Sequence, residues 1–251
     1  MENSKGEKNS VNLKEVYYPV IPLKIFQTWH TKSLPPFMRE NVEILKKRHP
    51  NFEHFLFDDE DCRNFIEKYF DKEVVDAFDS LIPGAYKADL WRYCVLYIYG
   101  GIYLDIKYQV VEGFRLIALT EKEHFVRDKK IADIYGIYNG VMVCKPNNPI
   151  LLECINEIIK NSRNNFYGLN SLQPTGPQLL SKFIKDKDVD LYPHFFKEKN
   201  NNEKNIIVNE KNVYLLESYD QYREEQKIHG NTIHYHYLWE DRKIYKTCSP
   251  K

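Results

Sequence analysis

The sequence predicts an α/β fold, and three observations lead to it. Short runs rich in β-branched and aromatic residues alternate with longer runs of helical spacing between residues 23 and 159. Gly100-Gly101 separates the longest helical run from Ile102-Tyr103-Leu104, and glycine accepts the left-handed backbone that closes a helix. Asp105 then stands where that short run ends, and the carboxyl ends of strands are where α/β sheets take their ligands.

In order, residues 1–15 are polar and read as a flexible tail. Leu23 to Trp29 reads as the first strand. Pro35-Pro36 opens a helix to Arg48 with Met38, Val42 and Leu45 on one side. Phe52 to Phe57 is a second strand. Asp58-Asp59-Glu60-Asp61 follows it, and four acids suit the first turn of a helix better than a metal site. Helices are expected over Asp59–Phe70 and Lys72–Leu81. Pro83-Gly84 enters the longest helix, whose Ala88, Trp91, Val95 and Ile98 make an apolar stripe. Further strands are expected over Tyr108–Val111, Phe125-Val126 and Ile137–Cys144, then a helix over Pro149–Ile159. Gln173-Pro174-Thr175-Gly176-Pro177 opens another helix with Thr175 as its N-cap. Lys197 to Asn212 reads as an exposed loop or hairpin, and Thr232 to Trp239 alternates like a strand.

Composition narrows the function. Hydrophobic residues make up 43% of 251, enough for a substantial core, and 36 basic residues balance 36 acidic ones, which gives no electrostatic case for nucleic acid. Five scattered cysteines without C-x-x-C spacing suggest reduced thiols in a cytoplasmic setting. No signal peptide and no membrane span are expected, since no apolar run reaches about 18 residues.

Candidate chemistry centres on the 83–107 stretch. Asp89 and Arg92 are three apart and therefore neighbours on one helix face, able to converge with Asp105. Carboxylates accept hydrogen bonds from sugar hydroxyls and arginine forks onto phosphate. On a strand, His234 and His236 would share one face, and two such histidines can ligate a metal.

Ala85, Ala88, Asp89, Arg92, Tyr93, Leu96, Tyr99, Gly100, Gly101, Tyr103 and Asp105 fall on a long pattern, A-x-x-S/A-D-x-x-R-Y-x-x-L-x-x-Y-G-G-x-Y-x-D-x-D. In this the chain resembles glycosyltransferase family 32, which includes yeast mannosyltransferases and bacterial capsular sugar transferases. More distantly it resembles the glucosylating clostridial toxins. The resemblance spans residues 21–239 and is strongest over 82–105. It implies a GT-A-like, Rossmann-type, mostly parallel sheet with flanking helices, formed as a single catalytic domain over 16–251. It also implies transfer of a hexose from a UDP- or GDP-sugar to a hydroxyl of a glycan, protein or lipid-linked acceptor, with retention.

The same resemblance suggests roles. Asp105, Asp89, Arg92 and Asn139 would form the catalytic set. Gln27, Thr28, Trp29, Tyr103 and Lys107 would join Asp89, Arg92 and Asp105 at the donor, with Trp29 stacking on the base. Thr175 and Gly176 would lie on the acceptor side. Mn²⁺ or Mg²⁺ would be held by Asp105 with His234 and His236. One departure matters: the second acid of D-x-D is Lys107, and a protonated lysine cannot ligate a metal. A nucleotide-sugar hydrolase and a non-catalytic sugar-nucleotide or glycan binder therefore stay as alternatives.

Overall fold

The computed structural model describes residues 16–131, 133–197, 203–230 and 233–246. The tail expected over 1–15 and Cys248 lie outside them. Strand β1 (Lys24–Thr28), helix α1 (Pro36–Arg48) and strand β2 (Glu53–Phe57) make a unit in which the strands run parallel. Parallel neighbours need a crossover, and α1 provides it, burying Met38, Val42 and Leu45 as the spacing predicts. Helix α2 (Asp59–Tyr69) begins with a capping box. The Asp58 carboxylate accepts from Asp61 N–H at 2.9 Å, and Asp61 accepts from Asp58 N–H at 3.2 Å. The four acids thus open a helix.

Helices α3 (Lys72–Ser80) and α4 (Gly84–Tyr99) lead to β3 (Gly101–Leu104), which pairs parallel to β1. Gly100 closes α4 with φ of 60°, and Gly101 follows with φ of 113°. A Cβ on Gly101 would lie 2.7 Å from the Lys24 carbonyl oxygen, so glycine is what lets β3 approach β1. Instead of the predicted single stripe, α4 is buried around much of its circumference, polar Asp89 and Arg92 included, because helices and sheet enclose it.

The remaining elements are β4 (Tyr108–Val110), β5 (His124–Ile131), β6 (Ile134–Cys144), α5 (Pro149–Arg163), α6 (Pro177–Leu180), β7 (Val189–Lys197), β8 (Glu203–Asn209), β9 (Tyr214–Ser218), α7 (Tyr222–His229) and α8 (Tyr235–Glu240). The described strands form one nine-stranded sheet, ordered β2-β1-β3-β6-β5-β7-β8-β9-β4. The parallel arrangement holds for β2-β1-β3 and for β5-β7. The other pairings are antiparallel. Several of those strands are joined by turns or short loops, which only antiparallel neighbours allow. Helices α2 to α6 bury one face of the sheet. A second apolar cluster, including Ile25, Ile102, Val141 and Ile207, fills the other face, and a third lies beneath α1.

Two expectations fail here. Thr232 lies outside the described residues, and from Tyr235 the alternating tail is a helix, α8, because Tyr235, Leu238 and Trp239 also fit a three- and four-residue spacing and pack on the core. Thr175 does not cap α6; Gly176 holds that position. Of the exposed loop or hairpin expected over 197–212, residues 198–202 lie outside the described residues, and 203–209 form strand β8 with Ile206, Ile207 and Val208 buried; β9 and α7 had no expectation. Among the described residues no helix is long and apolar enough to cross a membrane. Cys62, Cys94, Cys144 and Cys154 are free and buried.

Candidate active site

Asp105 caps the carboxyl end of β3, its backbone N–H donating to the Gly140 carbonyl at 2.7 Å. The Tyr103 hydroxyl donates to Asp105 Oδ1 and the Tyr138 hydroxyl to Oδ2, each at 3.0 Å. Lys107 Nζ lies 3.4 Å from Oδ2, and Arg92 Nη2 lies 3.8 Å from Oδ1. A methyl group on Gly140 would run into the Tyr138 ring and the Asp105 carboxylate, so the bare backbone there makes room for both.

Beneath Asp105, α4 supplies a second layer. Asp89 Oδ1 accepts from Asn139 Nδ2 at 2.9 Å and lies 3.3 Å from Arg92 Nη2; Asp89 Oδ2 accepts from the Thr175 hydroxyl at 2.7 Å. Asn139 also donates to the Tyr93 hydroxyl at 3.0 Å. Arg92 donates to the Asn139 carbonyl at 2.8 Å, and its guanidinium stacks 4.4 Å from the Tyr103 ring centre. The structure therefore brings together Asp89, Arg92, Tyr103, Asp105, Lys107, Asn139 and Thr175, with Gly176 beside Asp89.

Exposure divides the two acids. The Asp105 side chain is 26% exposed, against 11% for Asp89, 7% for Arg92 and 10% for Lys107. Asp105 is the more accessible acid, and Asp89 is engaged by its neighbours. Burial pushes the Asp105 carboxyl up, but the Lys107 and Arg92 charges and the two phenols outweigh it and hold it below the usual carboxylate range. For Asp89 burial wins over Arg92, Thr175 and Asn139, and the carboxyl is pushed up. Burial likewise pulls the Lys107 ammonium down despite Asp105.

Of the other expected site residues, Gln27 and Thr28 make their bonds away from the cluster and Trp29 borders it. Gln27 is fully buried in β1, with Oε1 2.8 Å from His54 Nε2, and is not part of the cluster. It is directed to the sheet face opposite Phe26 and Thr28, as strand alternation requires. Thr28 donates its hydroxyl to the Phe57 carbonyl at 2.9 Å. Trp29 packs with Ile106, Met38 and Tyr219, and its indole N–H has no partner.

The histidines do not join Asp105. The His234 ring caps α8, accepting from His236 N–H at 3.3 Å, and His236 sits 3.4 Å from Ser171 Oγ and from Glu240. The expected Mn²⁺ or Mg²⁺ ligand set is therefore not assembled. Among the described residues no group of three His, Cys, Asp or Glu side chains can hold a metal. The donors at Asp105 do not suit a divalent cation either. One carboxylate is present, both its oxygens carry phenol hydrogen bonds, and an ammonium stands where a second acid would.

Several residues around the cluster escaped sequence reasoning. The Tyr138, Tyr108 and Tyr222 rings lie 5.4, 5.2 and 5.9 Å from Lys107 Nζ. Arg223 follows Tyr222 on α7, with its guanidinium 5.6 Å from the Tyr222 ring. Tyr138 directly precedes Asn139, the nearest signal for it; Tyr222 and Arg223 had none.

Residues 35–124 match a family described as glycosyltransferase sugar-binding region containing DXD motif. Inositol phosphoceramide mannosyltransferase 2 of Schizosaccharomyces pombe is 33% identical over 172 residues, covering 67% of this chain and 47% of that protein. An uncharacterised glycosyltransferase of Acanthamoeba polyphaga mimivirus is 32% identical over 134 residues, covering 52% of this chain and 53% of that one. The chain thus spans about half the length of these relatives. Among solved structures, the PaToxG glycosyltransferase aligns with a TM-score of 0.49 at 18% identity, covering 66% of this chain and 70% of that one.

Proposed function

We propose that this chain, whose residues 35–124 belong to the DXD-containing glycosyltransferase sugar-binding family, moves a hexose from a uridine or guanosine diphosphate sugar to an acceptor hydroxyl with retention. The observation that carries the reading is Asp105. It is an ionised, partly exposed acid at a strand end, fixed by two phenols and flanked by Arg92 and Lys107. Such a group accepts hydrogen bonds from ribose or hexose hydroxyls and fixes their orientation.

Each neighbour has a task in this reading. Asp89, held by Asn139 and Thr175, aims Arg92 at Asp105. Departure of the nucleoside diphosphate leaves negative charge on its oxygens while the sugar becomes oxocarbenium-like. Cations already in place stabilise that charge without rearranging. Lys107, caged by tyrosines, is the cation nearest the exposed carboxylate. No step is assigned to a divalent ion. Trp29 is assigned to the donor side and Gly176, beside Asp89, to the acceptor side.

Relatives named as inositol phosphoceramide mannosyltransferases make mannose and a phosphoinositol lipid the first donor and acceptor to try. A glycan or protein hydroxyl is the wider class. Lys107 in place of the second acid favours a second reading, binding of a sugar nucleotide without turnover. Measuring free GDP or UDP and glycosylated product from GDP-mannose and UDP-hexoses, with and without acceptor, separates the readings. Acceptor-dependent release supports transfer. Acceptor-independent release identifies a hydrolase, and saturable binding without release identifies a binder.

A further inference from the structure

We propose that Lys107 and Arg223, both within 6 Å of the Tyr222 ring, together take the donor diphosphate in place of a divalent metal ion. The inference rests on the sugar-nucleotide reading above and assigns the cation that reading requires. Its first support is Lys107 itself. The Lys107 ammonium lies 3.4 Å from Asp105 Oδ2, on the residue that replaces the second acid of D-x-D. Its backbone is fixed, since the Lys107 carbonyl accepts the Tyr219 N–H at 3.0 Å. Three tyrosine rings within 6 Å hold the ammonium by cation–π attraction while it stays protonated. A divalent ion beside Asp105 would meet that ammonium at close range.

Arg223 is the second support. It is exposed, and it donates a 2.8 Å hydrogen bond to the neutral Gln226 side chain. Among the described residues it has no carboxylate partner, although 36 acids are available in the chain. Its position is not loose. Two residues on, buried Glu225 accepts the N–H groups of Phe37 and Met38 at 2.8 Å each and the Tyr219 hydroxyl at 2.9 Å. That bond fastens α7 to the start of α1, so the Arg223 backbone is held beside the site. The Tyr222 ring lies 5.9 Å from Lys107 Nζ and 5.6 Å from the Arg223 guanidinium. A compact ammonium and a forked guanidinium gathered around one ring suit the two phosphates of a nucleoside diphosphate.

The test is calorimetric binding of UDP and GDP to the full chain in EDTA and in Mn²⁺. The expected result is binding in EDTA that Mn²⁺ does not strengthen. Arg223→Gln, a surface change, is expected to weaken it about tenfold, the scale of one lost charge-assisted hydrogen bond. Lys107→Asp, which rebuilds the second acid, is expected to make binding depend on Mn²⁺. If Lys107→Asp does not fold, Arg223→Gln still decides the matter. Binding by the unaltered chain that vanishes in EDTA and returns with Mn²⁺ overturns the inference and leaves the sugar-nucleotide reading intact. Unchanged EDTA affinity in Arg223→Gln also overturns the inference. Absence of UDP and GDP binding in both buffers overturns the reading on which it rests.

Discussion

Glu225 accepts the backbone N–H of Met38 at 2.8 Å across a separation of 187 residues. The same carboxylate takes Phe37 N–H, so α7 supplies the cap that α1 lacks from its own sequence. Helix N-termini leave such donors unsatisfied unless a side chain meets them. Glu225→Ala is expected to lower unfolding stability by about 2 kcal/mol, the cost of a lost cap with buried donors. Urea denaturation measures it. A loss below about 0.5 kcal/mol, typical of an uninvolved surface position, would contradict the role.

Thr175 is bound to Asp89, at 2.7 Å, rather than to the helix it precedes. Thr175→Val keeps the shape and removes the donor, leaving a buried carboxylate oxygen short of a partner. The expected cost is about 1–3 kcal/mol of stability. The rate of transfer should fall more than KM rises, because Arg92 loses its alignment. Steady-state kinetics beside thermal unfolding check both parts.

Gly140 leaves space that Tyr138 and Asp105 occupy. Gly140→Ala pushes a methyl group into that space. Since a displacement on the order of 1 Å at a reacting centre can cost about 100-fold, transfer is expected to drop by that order. Far-ultraviolet circular dichroism should stay unchanged. Full activity in Gly140→Ala would show that Asp105 need not stand where it does.

His54 gives a pH prediction away from the site. Burial, helped by the charge of Lys46, lowers its pKa from 6.5 to about 4. Its Nε2 faces the Gln27 Oε1 at 2.8 Å. Between pH 6.5 and 4 the unfolded chain therefore binds the proton that the folded chain refuses. Folding stability falls as pH drops through that window and the contribution levels off below it. The loss from this group is on the order of 3 kcal/mol. His54→Gln, compared with the unaltered chain by urea denaturation across that range, should show a shallower slope.

The core of the site was legible because its parts are local. Asp89, Arg92, the paired glycines and Asp105 lie within one helix–turn–strand passage, and backbone geometry alone brings them near one another. Asn139 was legible only through the family resemblance. Arg223 and Tyr222 were not, because long-range contacts, among them the β4–β9 pairing and the Glu225 cap, bring α7 to the site. The alternation of His234 and His236 misled for a related reason. Six residues satisfy strand and helix periods equally well, and packing of Tyr235, Leu238 and Trp239 on the core decides for the helix. The parallel sheet was over-extended because βαβ passages advertise themselves while the later strands, joined by short connections, do not.

The most direct measurement is acceptor-dependent release of nucleoside diphosphate by the unaltered chain and by Asp105→Ala, at matched concentration and with folding verified by circular dichroism. The account predicts turnover in the first and a loss of at least about 100-fold in the second, the scale of removing a group that fixes the transition state. Equal turnover in a folded Asp105→Ala protein would contradict it.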